Sequence, residues 1–246
     1  MNNFLEYLES LNSKDLSDRN NLEDNILIDL GLNNEALNEQ PSHLGEFYGK
    51  GQELKIWQYP NQFSKYLSFL SKYAHKINSY LEIGCRHGGT FILTSELIHK
   101  LNFNFDKSIA LDLIDESENI QKYREKRKFI QFKKENSNSE IFKNYIKTNF
   151  FDLIFIDGDH SYEGVKSDGE NTRDHCNIQV YHDISNDVCP GVIRYWNELK
   201  DRKKDIYNFY EFTDQYYEVV KRTNRTYLGI GVAIKKTFDK EQINES

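Results

Sequence analysis

The chain has 246 residues, a length that suits one large domain or one domain with an appendage. Its 32 Lys and Arg against 39 Asp and Glu leave a net charge of −7, which argues against a protein whose main task is gripping nucleic acid, since phosphate binding needs a cationic footprint. Hydrophobic residues make up only 38%, yet 16 Tyr, 16 Phe and 2 Trp supply large buried area per side chain, so disorder of the whole chain is not expected.

No apolar run reaches the roughly 18–20 residues that span a bilayer, and the start, Met1-Asn2-Asn3-Phe4-Leu5-Glu6, lacks the basic and apolar regions of a cleaved signal. A cytoplasmic protein with no membrane partner is expected. Cys85, Cys176 and Cys189 form no CxxC pair, and their odd number argues against a disulfide framework.

Residues 1–78 read as helical and polar. Phe4, Leu5, Leu8 and Leu11 fall at helical spacing. A second apolar set, Leu22, Ile26, Leu27 and Leu30, ends at Gly31, a natural C-cap. Pro41 to Pro60 reads as loop, and the next helix carries Phe63, Tyr66, Leu67 and Leu70 on one face. Residues 1–60 are expected to form an N-terminal helical extension, a lid or a dimer contact, and 61–246 the main domain.

From Ser79 the period changes. Short apolar runs at 79–85, 108–115, 129–135, 151–157 and 177–183 alternate with stretches of helical length. Two last strands, 206–213 and 226–235, adjoin with no room for a packed crossover helix and should pair antiparallel. The charge run from Lys122 to Lys134 reads as a solvated helix face and strand entry. The expected fold class is α/β, a doubly wound, mostly parallel seven-stranded sheet with an antiparallel last strand and extra N-terminal helices.

Such sheets bind ligands at the carboxyl ends of their strands. The first ends in Glu82-Ile83-Gly84-Cys85-Arg86-His87-Gly88, a turn whose glycines allow close ligand approach but whose acid would repel a diphosphate and suits a cationic ligand. The second delivers Asp112, able to accept both hydroxyls of a ribose, with Asp115 in reserve. The third leads into Glu135-Asn136-Ser137-Asn138-Ser139-Glu140, which suits either an adenine-edge contact or a helix N-cap.

The fourth and fifth strands carry the strongest signal. Ile154-Phe155-Ile156 breaks off into Asp157-Gly158-Asp159-His160, and Val180-Tyr181 into His182-Asp183. Carboxylates gathered at one rim repel one another unless a cation sits among them. A hard divalent ion fits Asp157 and Asp183, with His182 as a third ligand, leaving Asp159 or His160 to take a proton. The plain alternative is that these residues only cap strand ends. For His43, His75, His87, His99 and His175 no site role is expected, and Cys85 reads as a small packed residue.

Together these residues resemble class I S-adenosylmethionine-dependent methyltransferases over about 79–236, and are most similar to the metal-dependent sugar O-methyltransferases of the macrocin and cephalosporin-hydroxylase-like group. The resemblance rests on Glu82 to Gly88, on Asp112, on Ile156-Asp157-Gly158-Asp159-His160-Ser161-Tyr162 and on His182-Asp183. A further likeness lies in the entry Lys55-Ile56-Trp57-Gln58-Tyr59-Pro60-Asn61-Gln62. It implies a Rossmann-like methyltransferase fold with S-adenosylmethionine held by Glu82, Gly84, Arg86, Gly88, Asp112, Ser137 and Asp157. It further implies Mg²⁺ or Mn²⁺ on Asp157, His182 and Asp183, and His160 or Asp159 as base. The implied acceptor is a sugar or nucleotide sugar, with homo-oligomerisation open. His175-Cys176-Asn177 stands where many relatives have Gly-Gly, which bears on the turn before strand five. Alternatives are a phenol or small polyol as acceptor, a metal-dependent hydrolase on the same fold, or a nicotinamide enzyme, which would need a third glycine that the first turn lacks.

Overall fold

Gly31 ends the first helical layer as its position predicts: its φ of 108° is open to glycine and strained for other residues. Before it, in a computed structural model that describes residues 4–35 and 37–240, come α1 (Phe4–Ser10), α2 (Ser13–Ser17) and α3 (Arg19–Asn21). A π-helical turn, Leu22–Ile26, then leads into α4 (Leu27–Leu30). Leu11 falls outside α1, because Asn12 starts α2 with a capping box. A looped stretch follows, and α5 (Pro60–Ser71) opens on a proline at its first turn.

The alternating part then runs β1 (Ser79–Ile83), α6 (Gly89–Leu101), β2 (Lys107–Asp112), α7 (Glu118–Lys126), β3 (Ile130–Lys134), α8 (Glu140–Lys147), β4 (Phe151–Ile156), α9 (Tyr162–Arg173), β5 (Cys176–His182) and α10 (Pro190–Lys203). It closes with β6 (Tyr207–Phe212), α11 (Tyr217–Thr223), β7 (Ile230–Lys235) and α12 (Lys236–Lys240). Three helices begin on a serine whose hydroxyl accepts a first-turn N–H: Ser117, Ser139 and Ser161. Each serine stands just past a strand end, so the caps set where the chain turns back over the sheet.

The seven strands lie in the order β3-β2-β1-β4-β5-β7-β6, with β7 antiparallel to both β5 and β6 and the rest parallel. The strand order reverses between β1 and β4, the place where open α/β sheets hold ligands. Alternate residues feed two apolar cores. Tyr80, Ala110, Leu153 and Phe155 face α5, α6, α7 and the N-terminal helices, whereas Leu81, Leu111, Ile154 and Ile156 face α8, α9 and α10.

Two expectations need correction, and the turn before β5 is resolved. A seven-residue helix, α11, stands between the last two strands, and β7 starts only at Ile230. Leu228 and Gly229 take positive φ, and residues 226–229 accept bonds from Ile184, Ser185 and Asp187 instead of joining the sheet. The charge run is only partly solvated: Arg127 turns inward to the fully buried Glu96. The turn before β5 closes without Gly-Gly, His175 N–H donating to Thr172 O and its carbonyl accepting from Phe151 N–H. Among the described residues no helix is long and apolar enough to cross a membrane.

Candidate active site

The carboxyl ends of β1, β2, β4 and β5 open into one cavity of about 920 Å³, within the range of about 300–1,000 Å³ usual for small-molecule sites. All the residues singled out from the sequence except the reserve, Asp115, line it: Glu82, Gly84, Arg86, Gly88, Asp112, Ser137, Asp157, Asp159, His160, His182 and Asp183.

On the β1–β2 side, Gly84 has φ 85° and lies so close to Asp157 O that a Cβ would collide with it, which brings the first turn against the end of β4. Its N–H donates to Leu111 O, tying the turn to β2. Asp112 Oδ2 accepts the Arg86 N–H at 2.7 Å and its Oδ1 the Ile114 N–H at 3.2 Å. Glu82 lies on the floor, 1% exposed, and accepts the Tyr80 hydroxyl. Burial holds its carboxyl well above the ordinary range, Tyr80 opposing and the Asp157 charge adding to the rise. Asp115, the reserve, is exposed and paired with Lys134. Ser139, not Ser137, caps α8, which leaves Ser137 on the cavity wall.

On the β4–β5 side two carboxylates and two imidazoles interlock. His182 Nδ1 meets Asp157 Oδ1 at 3.0 Å and Asp183 Oδ1 at 3.5 Å, while its Nε2–H donates to Gln58 Oε1 at 2.9 Å. His160 meets Asp157 Oδ1 through Nε2 at 3.2 Å and Asp183 Oδ2 through Nδ1 at 3.3 Å. Burial alone would lower His182, but Asp157 and Asp183 outweigh it and raise its pKa to about 10. The hydrogen bond to Asp157, then that to Cys189, lifts His160 to about 11. Burial would raise Asp157 and Asp183, yet the same imidazoles hold both below the usual carboxylate range. Asp183 sits at φ 63°, a strained backbone for a non-glycine residue, where Asn186 Nδ2–H bonds to its Oδ1.

Asp159 is exposed and accepts the Ser161 N–H at 2.8 Å. His87, for which no role was expected, lines the cavity rim and pairs with Glu35 at 2.6 Å. Arg86 pairs with the same carboxylate and lays its guanidinium 4.4 Å from the Trp57 ring centre. Trp57, Gln58, Asn186 and Cys189 also line the cavity and were missed. The stretch Lys55 to Gln62 holds the signal that could have found Gln58; nothing in the sequence around Glu35 announces its partners.

Residues 81–183 match the model of a family described as a methyltransferase domain. A comparison with curated proteins gives no match. Among solved structures, the chain is similar to the O-methyltransferase TomG of Streptomyces achromogenes, involved in tomaymycin synthesis and solved with S-adenosylmethionine. Identity is 14%, over 84% of this chain and 92% of that one, with a TM-score of 0.53. It is also similar to an O-methyltransferase of Bacillus cereus solved with SAH, 13% identical over 95% of this chain and 96% of that one, with a TM-score of 0.50. The sheet order is that of a Rossmann-like methyltransferase fold, and the matched segment covers its strand ends from β1 to just past β5.

Proposed function

We propose that the protein transfers a methyl group from S-adenosylmethionine to a sugar hydroxyl with the help of Mg²⁺ or Mn²⁺, the sugar being carried on a nucleotide or belonging to a glycan pathway. The observation that carries this reading is that four strand ends deliver acids, Glu82, Asp112, Asp157 and Asp183, into one cavity. A buried acid in the first turn disfavours a diphosphate and favours a donor with a cationic end. One of the two similar structures holds S-adenosylmethionine, a donor of that kind, the other holds SAH, its demethylated form, and both of those proteins are O-methyltransferases.

In this reading Glu82 and the Gly84, Arg86 and Gly88 turn hold the amino-acid end of the donor, with Asp157 closing the floor. Asp112 accepts the ribose hydroxyls and Ser137 meets the adenine edge. Residues 61–246 make up this domain, and residues 1–60 cover it, a role supported by Glu39, Trp57 and Gln58 in the cavity lining.

The donor set fits a divalent cation. Ligand atoms of Asp157, His182 and Asp183 lie within 4.8 Å of one another, and His182 has its other ring nitrogen committed to Gln58, the outer partner that metal-bound histidines need. Gln58 is itself oriented, its Nε2–H donating to Thr90 Oγ1. A bound ion would supply Lewis-acid lowering of the acceptor hydroxyl's pKa. Once Asp157 and Asp183 hold a cation, the charges that keep a proton on His160 are removed, so the hydroxyl proton would go to His160 or to Asp159, whose Oδ1 is steadied by the Ser161 N–H. The cavity walls hold donor and acceptor in line, which supplies much of the acceleration of a direct transfer.

The test is calorimetry followed by a screen. S-adenosylhomocysteine is expected to bind and NADH not to, and Asp112→Ala to weaken the former about 10- to 100-fold, the worth of hydrogen bonds to a charged group. Labelled donor offered with nucleotide sugars should give a methylated product that EDTA abolishes. NADH binding in place of S-adenosylhomocysteine removes the donor assignment, and activity that survives exhaustive EDTA removes the cation.

A further inference from the structure

The donor atoms beyond β5 are not exhausted by Asp157, His182 and Asp183. A second set lies beside them: His160 Nδ1, Asp183 Oδ2 and Cys189 Sγ. Its three edges are equal, with 3.3 Å from Cys189 Sγ to His160 Nδ1, 3.3 Å from Cys189 Sγ to Asp183 Oδ2 and 3.3 Å from His160 Nδ1 to Asp183 Oδ2. Nitrogen, oxygen and sulfur donors held around one ion at zinc-type bond lengths and tetrahedral angles lie about 3.3–3.6 Å apart. The triangle therefore already has the edge lengths of one face of such a site.

The two sets divide Asp183 between them: Oδ1 faces His182, and Oδ2 faces His160 and Cys189. They also differ in chemistry. The first offers carboxylate oxygens and one imidazole, which suit hard ions, while the second replaces a carboxylate with a thiol, a soft donor. The loop from Asp183 to Cys189 keeps the pair in register, Asn186 donating through Nδ2–H to Asp183 Oδ1 and accepting the Cys189 N–H at its carbonyl. Asp183 and Cys189 are buried, His160 is exposed, and all three line the cavity, so an ion can reach the triangle from the cavity side.

We propose that His160, Asp183 and Cys189 form a second cation site, selective for thiophilic ions of the Zn²⁺ and Co²⁺ kind, that shares Asp183 with the hard-ion site. It goes beyond methyl transfer and depends on neither donor nor acceptor. The thiolate is the ligand form, so binding releases the thiol proton to solvent. An ion held there takes up His160 and one oxygen of Asp183, which makes thiophilic ions antagonists of the Mg²⁺-supported reaction.

Adding Co²⁺ to the metal-free full chain, with no donor or acceptor present, tests this by absorption. The expected result is a thiolate-to-cobalt charge-transfer band that saturates at one ion per chain and persists in excess Mg²⁺. It should be retained in Cys85→Ser and lost in Cys189→Ser, with at least about a tenfold rise in the Co²⁺ dissociation constant in His160→Ala. No band in the wild-type chain, or a band that survives Cys189→Ser, overturns the site, and the wild-type titration does so whether or not the variant folds. Mg²⁺-dependent methyl transfer without a cobalt band sinks this site alone; a cobalt band in a chain that binds no S-adenosylhomocysteine sinks the methyl-transfer reading and leaves this site standing.

Discussion

Asp168, on α9 behind the cavity floor, is fully buried, and neither of its carboxyl oxygens has a hydrogen-bond partner among the described residues. One oxygen lies 3.2 Å from where a Cβ on Gly158 would stand, so this carboxyl sits just beneath the turn that carries Asp157 and Asp159. Burial pushes its pKa up to about 6, the nearby Ser137 hydroxyl opposing and Asp159 adding to the rise. A carboxyl whose folded pKa lies above its unfolded value stabilises the fold fully below the unfolded pKa and loses that contribution as the pH climbs through the folded one. The window here runs from about pH 4 to about pH 6. Asp168→Asn cannot ionise, so its stability relative to wild type should rise by roughly 2 kcal/mol between pH 4 and pH 7, because a tenfold change in proton affinity is worth about 1.4 kcal/mol and the unfolded carboxyl is already partly ionised at pH 4. Urea unfolding of both proteins at the two pH values measures the difference; a gap that stays constant would mean that Asp168 is ionised at no net cost.

At the scale of elements, the join between α6 and α7 rests on a polar contact inside an apolar layer. Glu96 on α6 is fully buried. It accepts Arg127 Nε–H at 3.1 Å and Nη2–H at 2.8 Å from just past the end of α7, and the Tyr123 hydroxyl at 2.9 Å from within it. Removing the arginine leaves a buried carboxylate with its main counter-charge gone, a loss of about 3–5 kcal/mol where such pairs are broken from one side. Arg127→Met should cost an amount of that order in denaturant midpoint, and Glu96→Gln in the same chain should recover a good part of it. If the double variant is no more stable than the single one, the cost comes from lost packing of the arginine stem.

This contact also marks where the sequence stops being readable. Lys122 to Lys134 carries its charge in plain view, but which of those cations turns inward depends on α6, some thirty residues earlier. The strand ends behave in the opposite way. Ile154 to Ile156 and Val180 to Tyr181 are buried on both faces of a parallel sheet, so the first acid after each run has only the rim to occupy, and local order alone places Asp157, His182 and Asp183. Gln58 and Glu35 escape because their partners are 124 and about 51 positions away and are chosen by how the N-terminal layer closes over the sheet. The break at Leu228 and Gly229 escapes for a related reason, since the loop after β5 competes for hydrogen bonds that β7 would otherwise use.

For the molecule as a whole, the N-terminal layer and one face of the sheet share a single apolar core, from Phe4 and Leu8 through Leu54 and Ile56 to Phe91 and Ile234. The segment over the cavity is joined to the first turn by Glu35, Arg86, His87 and Trp57, and to β5 by Gln58. A ligand seated between these parts touches elements that unfold together, so its binding energy is added to the global transition. S-adenosylhomocysteine at a hundred times its dissociation constant should contribute about 2.7 kcal/mol. For a chain of this size that corresponds to a rise of roughly 5–10 °C in a single thermal transition. NADH at the same concentration should leave the midpoint unchanged. A melt that splits into two steps, with only the later one moved by S-adenosylhomocysteine, would show that the covering layer unfolds independently of the sheet and that the cavity does not need it.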